Sequence, residues 1–206
     1  MADPSQRNRS TSGTKPDRTK PMANFFDALT PELSSFVSAQ QIFFVATAGR
    51  SSRVNLSPKG MDSLRVLAPT RLCWLSVTGS GNETAAHVLE NERMTLMWWA
   101  SVGKPLIVRV YGRARVVYPT HEDWGGLAAR FPPLPGTRQI FDLTIESAQT
   151  SCGMSLPLYD YAGERDALNQ WALKKGEDGL RKYRATNNEK SIDGLDTGLP
   201  DDDSEL

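Results

Sequence analysis

Short apolar runs alternate with turn residues along this chain, most regularly between Gln41 and Tyr118. The runs QIFFVATA (41–48), RVNLS (53–57), SLRVL (63–67), RLCWLSV (71–77), RMTLMWWA (93–100) and PLIVRVYGRARVVY (105–118) predict strands, and RQIFDLTIESA (138–148) predicts one more. Gly49–Ser52 has the content of a hairpin turn, and Ser57-Pro58-Lys59-Gly60 that of a β-turn. Helical spacing is rarer. Thr30-Pro31 is an N-cap followed by proline at the first helical position, opening a helix over 30–40. GNETAAHVLEN (81–91) predicts a second helix, with Ser80-x-x-Glu83 as its capping box. A third is expected over 120–130, stopped by FPPLPG, and two more near 163–174 and 178–183. Many short strands and few helices argue a mostly β antiparallel barrel with flanking helices.

In the longest strand, Val108, Val110, Gly112, Ala114 and Val116 share one face, and Arg109, Tyr111, Arg113, Arg115 and Val117 the other. The first face is core. The second is cationic and calls for anions, a partner subunit or solvent. Gly112 and Ala114 suit a tightly curved sheet or a close backbone approach. Trp98 and Trp99 must point to opposite sides of their strand, so at most one is core.

A length of 206 residues suits one domain with tails. We expect a disordered extension over 1–21, a folded body over 22–188 and a solvated acidic tail over 189–206. With 24 basic and 24 acidic side chains, no net field draws the molecule onto nucleic acid or a membrane surface. No apolar run approaches the roughly 20 residues of a membrane span, so a cytoplasmic protein is expected. Cys73 and Cys152 lack metal spacing and are read as reduced thiols, Cys152 buried; His87 and His121 cannot build a zinc site alone. His87 reads as a surface helix histidine, and no residue stands out as a catalytic acid or base.

The glycine-rich turn Gly79–Thr84 precedes a helix, which presents free amides and a positive dipole end to a phosphate. The same residues also suffice merely to start that helix. Lys59 reads either as a solvated turn lysine or as an anion ligand.

VATA, VNLSPKG, TGSGNETAAHVLENERMTLMW and VRVYGRARVV, in this order, resemble the pyridoxamine-5'-phosphate-oxidase-like family of FMN-binding split β-barrels. QTSCG and IDGLDTGL resemble an uncharacterised subfamily. The resemblance implies a split antiparallel barrel, a homodimer and FMN as cofactor. It implies cofactor binding at Asn55, Ser57 and Lys59, with Lys59 on the phosphate, and at Ser80, Asn82 and Thr84 in the loop. The family's true oxidases carry Ser-Arg-Lys where this chain has Asn82-Glu83-Thr84, so two cations are missing; Arg109 and Arg113 are the candidates to replace them. Those oxidases also close their site with an arginine-x-histidine pattern near the C-terminus, and this chain has no histidine after His121. The expected function is a flavin-dependent oxidoreductase acting on a small-molecule substrate or electron donor other than the vitamin B6 phosphates. The alternatives are a non-enzymatic module for flavin, haem or a deazaflavin, and a dimeric interaction protein whose flavin site has decayed.

Overall fold

The computed structural model describes residues 23–200, so the disorder expected over 1–21 lies outside the described residues. Eight strands form one sheet. They are β1 (Ala23–Phe26), β2 (Phe43–Thr47), β3 (Asn55–Lys59), β4 (Leu64–Ala68), β5 (Arg71–Val77), β6 (Arg93–Trp99), β7 (Ile107–Val117) and β8 (Thr137–Ser151). The helices are α1 (Pro31–Ser38), α2 (Glu83–Asn91), α3 (Trp124–Ala128) and α4 (Ala167–Asn187). The order across the sheet is β3-β2-β6-β7-β8-β5-β4, every pair antiparallel, with β1 added to β8 beyond the end of β5.

The two edge strands, β3 and β4, are consecutive in sequence, and only residues 60–63 join them. Such a link spans at most about 17 Å. A flat seven-strand path would hold its edges about 28 Å apart, so the sheet must curl until they approach. They are not hydrogen-bonded to each other. The result is a barrel left open along one seam, the split barrel. Contacts across its interior agree with the curl: Phe43 of β2 meets Trp74 of β5 at 6.1 Å between ring centroids and Trp98 at 6.2 Å, while Trp74 stacks on Phe141 at 4.4 Å.

The face alternation of β7 holds. Val108, Val110, Ala114 and Val116 lie in the barrel core, while Val117 joins a smaller outer cluster with Cys73, Leu75, Ile140, Leu127 and Phe131. Gly112 sits at a bulge in the β7–β8 register, where a Cβ would fall 2.0 Å from Thr144 O. That close approach is what the small residue permits. Trp98 is fully buried, and Trp99 packs tilted on Phe44 outside the barrel at 5.4 Å.

Three local expectations are corrected. Ser57–Lys59 is strand rather than turn, because β3 is an edge and Pro58 needs no amide proton there. The capping box of α2 does not form: Ser80 is exposed, and Asn82 is the N-cap with its side chain turned into the core. The acidic tail does not begin at 189: Asn188, Ser191 and Thr197 are buried, and Tyr118 donates its hydroxyl proton to Thr197 O. The two C-terminal helices are those expected in kind, for Gly176, at φ 65°, breaks α4 in two.

On the outer face Asp142, 7% exposed, accepts from Arg71 Nε and Nη2 (2.8 Å each) and from Arg115 Nε (3.0 Å) and Nη2 (2.8 Å). Burial acts to raise its pKa, but the hydrogen bonds and charges of the two arginines outweigh it, and the carboxyl titrates below its ordinary value. A depressed carboxyl contributes stability above its unfolded pKa, near 3.9, and loses it as pH falls through the folded value. Asp142→Asn is therefore expected to destabilise by about 1–2 kcal/mol at pH 7, since the arginines are half-exposed and keep water. Urea unfolding should show the gap to the parent closing below about pH 4. A gap that is constant with pH would contradict the role given to the charge.

Candidate functional site: the cationic end of the barrel

In the antiparallel β2–β3 pair, Asn55, Ser57 and Lys59 lie opposite Thr47, Val45 and Phe43, so all three side chains share the core face. Their polarity marks this end of the barrel as one that is not simply filled with hydrocarbon. Asn55 Nδ2 donates to Thr84 Oγ1 (3.0 Å), and Ser57 Oγ donates to Asn55 Oδ1 (3.2 Å). Asn82 exchanges bonds with Gln139, Nε2 to Oδ1 at 2.6 Å, and donates to Asn188 O at 3.3 Å. Strand β3, the start of α2 and β8 thus converge, and the sequence candidates Asn55, Ser57, Lys59, Asn82 and Thr84 belong to one neighbourhood. Ser80 does not join it, being exposed.

Lys59 differs from the others in having no hydrogen bond or ion pair among the described residues; its ammonium lies 5.3 Å above the Trp74 ring. Burial, and after it the charge of Arg138, push its pKa down to about 8, with Glu83 opposing. A cation so placed attracts an anion. It also lines a groove of about 900 Å³ that the sequence did not reveal, bounded by Trp99, Ile42, Tyr159, Tyr161, Glu164 and Arg165. The groove exists because residues 152–166, between β8 and α4, run without helix or strand past the end of β3.

Arg109 and Arg113 are elsewhere. They project from the opposite face of the sheet, in register with Met97 and Arg93 rather than with core residues. Arg109 donates to Ser151 Oγ (3.2 Å), and Arg113 pairs with Glu146 (2.9 Å) and Glu92 (3.7 Å). His87 is not the surface histidine expected: it is buried, with Nδ1 3.1 Å from Thr47 Oγ1 and Nε2 2.9 Å from Ser52 Oγ, and it ties the 49–52 turn to α2. Cys152, expected to be buried, is exposed. Among the described residues no cluster of three potential metal ligands occurs, and no helix is long and apolar enough to cross a membrane.

An open barrel whose polar end holds a lysine without an ion pair beside an aromatic groove defines a split barrel with a candidate ligand site. The sequence comparisons give that class a family. A family profile described as pyridoxamine 5'-phosphate oxidase matches residues 29–152. The chain is 31% identical over 194 residues to the pyridoxamine 5'-phosphate oxidase family protein ustO of Aspergillus flavus, covering 84% of this chain and 77% of that one. The chain belongs to the pyridoxamine 5'-phosphate oxidase family. Among solved structures it is similar to a candidate pyridoxamine 5'-phosphate oxidase from Lactobacillus delbrueckii, with 24% identity, 60% of this chain and 94% of that one covered, and a TM-score of 0.48. It is also similar to the FAD binding protein from Mycobacterium smegmatis, with 16% identity, 61% and 98% coverage, and a TM-score of 0.46.

Proposed function

We propose that the protein is an FMN-binding oxidoreductase, and the observation that carries this reading is Lys59. The donor set suits a phosphorylated flavin: a lysine without an ion pair, neutral hydroxyl and amide groups on the same strand, and an adjoining groove with three aromatic side chains. Lys59 would hold the phosphate, with Asn55, Ser57 and Thr84 fixing the surrounding backbone, and Trp99, Tyr159 and Tyr161 would border the ring. When bound, the flavin supplies the electron transfer. The protein's own contribution is position, exclusion of water and positive charge. The oxidised partner is a small molecule other than the vitamin B6 phosphates, because the arginine-x-histidine pattern those substrates require is missing. Purified protein should carry flavin absorbance or acquire it on adding FMN; a haem Soret band, or neither spectrum with no FMN uptake, would overturn the reading.

The protein is further proposed to be a homodimer. The expected argument from an exposed tryptophan is reduced to Trp99, which is half-buried against Phe44, since Trp98 is in the core. Support comes instead from Val54, just before edge strand β3 and 75% exposed, from Leu56 on that strand, 62% exposed, and from Met154, Leu158 and Tyr161 on the 152–166 segment, also exposed. Apolar surface of that extent on a strand edge favours a partner. Light scattering at micromolar concentration is expected to give twice the chain mass of 22.7 kDa, and a mass of one chain would refute the dimer.

A further inference from the structure

A buried cation, Arg138, stands beside the Lys59 site without an ion pair, and the Glu83 carboxylate is the acidic group that acts on both from a distance. Arg138, 5% exposed, donates from Nη1 to Gly81 O (3.1 Å) and Asn188 Oδ1 (2.6 Å) and from Nη2 to the Ser76 hydroxyl (3.3 Å). All three acceptors are neutral, its Nε has no partner, and no ion pair involves it among the described residues. A guanidinium withdrawn from water in this way is costly unless an anion accompanies it. The indole Nε1 of Trp74, itself buried, is likewise without an acceptor.

These groups are close for a simple reason. Trp74 carries the Lys59 ammonium over its ring, and Ser76 takes a bond from Arg138; the two residues are neighbours on one face of β5, about 7 Å apart along the strand. The charges of Lys59 and Arg138 act on each other, and a phosphate can take charge-assisted contacts of about 2.8 Å from more than one cation at once. Every uncommitted group here is a donor, and two are cations. The expected cradle at Gly79–Thr84 is in the opposite condition. Asn82 and Thr84 are committed to Gln139, Asn188 and Asn55, and the Glu83 carboxylate lies against Gly81 while accepting from Ile192 N (3.3 Å). A carboxylate at that helix start opposes a phosphate rather than inviting it.

We propose that Lys59 and Arg138, with Trp74 Nε1 between them, form the anion subsite that takes the phosphate of the flavin, and that Asn188 positions Arg138. Asn188 is suited to that task because its Nδ2 donates to Gly79 O (3.0 Å), while its carbonyl accepts from Asn82 and from Thr197 Oγ1 (2.7 Å). Residues 188–197 are thereby part of the site. The ligand's identity rests on the flavin reading; the preference for an anion does not.

The test uses the full chain and two probes. Inorganic phosphate at millimolar concentration is expected to raise the melting temperature of the parent protein and to leave that of Arg138→Gln unmoved. In fluorescence titrations the parent should bind FMN at least about tenfold more tightly than riboflavin, a margin that shrinks to within about threefold in Arg138→Gln with riboflavin binding unchanged. Absence of any phosphate effect on the parent, or an Arg138→Gln variant that keeps both the effect and the margin, overturns the subsite. If Arg138→Gln does not fold, competition in the parent decides: inorganic phosphate must displace FMN and spare riboflavin, and failure to do so sinks the proposal. Should neither flavin bind while phosphate stabilises the parent and not the variant, the anion subsite stands and the flavin reading falls.

Discussion

Lys59→Ala is expected to weaken FMN binding by about ten- to a hundredfold while changing riboflavin binding less than about threefold. The magnitude follows from one charge-assisted contact of about 1.5–3 kcal/mol, made by an ammonium that gives up little in order to make it. In the free protein Lys59 holds no hydrogen bond and no ion pair, so binding breaks no prior contact beyond its position over Trp74. The same fact makes the variant safe to interpret. Removing a side chain whose partly exposed interaction is a cation–π contact costs about 0.5–1 kcal/mol of stability, too little to unfold a domain. Equal losses for FMN and riboflavin would place Lys59 away from the phosphate.

The barrel was legible because its causes are local. Alternation in PLIVRVYGRARVVY fixed the inner and outer faces of β7, and the single small residue at Gly112 anticipated the tight bulge. Thr30-Pro31 marked the start of α1 within one residue, with Leu33 N donating to Thr30 Oγ1 at 3.2 Å. Strand β1, ANFF, has too few residues to show a period, and only its pairing with the end of β8 makes it a strand.

Part of the candidate site could be read from the sequence. VNLSPKG pointed to a strand that offers polar groups and a lysine to the interior, and Lys59 is the residue that stands out there. Arg109 and Arg113 were grouped with it by charge alone, and charge says nothing about which face of a curled sheet a strand presents. Arg138 was passed over because nothing local distinguishes it: its significance comes from Gly81, Ser76 and Asn188, contributed by residues 57, 62 and 50 positions away in sequence. The C-terminal stretch misled for a related reason. Its acidic composition reads as solvated, yet Asp193 pairs with Arg53, Asp196 with Lys190 at 2.8 Å, and Glu189 supplies its carbonyl to Thr197 N. Two of its acids thus have ion-pair partners, and neutral Asn188 and Thr197 make the buried contacts.

FMN affinity is expected to be greatest between about pH 6 and pH 8 and to fall on the alkaline side by about tenfold per unit until the Lys59 contribution is exhausted. On the acid side the ligand sets the limit, since a phosphate monoester takes up its second proton near pH 6 and loses charge. On the alkaline side the protein sets it. Burial, reinforced by the charge of Arg138 and opposed by Glu83, has brought the Lys59 pKa down to about 8, so above that value the free protein presents a neutral amine. The bound phosphate favours the charged form and raises that pKa, which is the same coupling read from the other partner. The decline therefore stops once the bound-state pKa is passed, after a total loss of about ten- to a hundredfold, equal to that of Lys59→Ala. Arg138 does not share in this limb: burial lowers its pKa, but a guanidinium remains charged throughout. Titrating FMN against the parent and Lys59→Ala from pH 6 to pH 10 checks the assignment directly. The variant should show a flat profile above pH 7, with the two curves meeting at high pH; a parent curve as flat as the variant's, or a variant that keeps the alkaline fall, would assign the titration to another group.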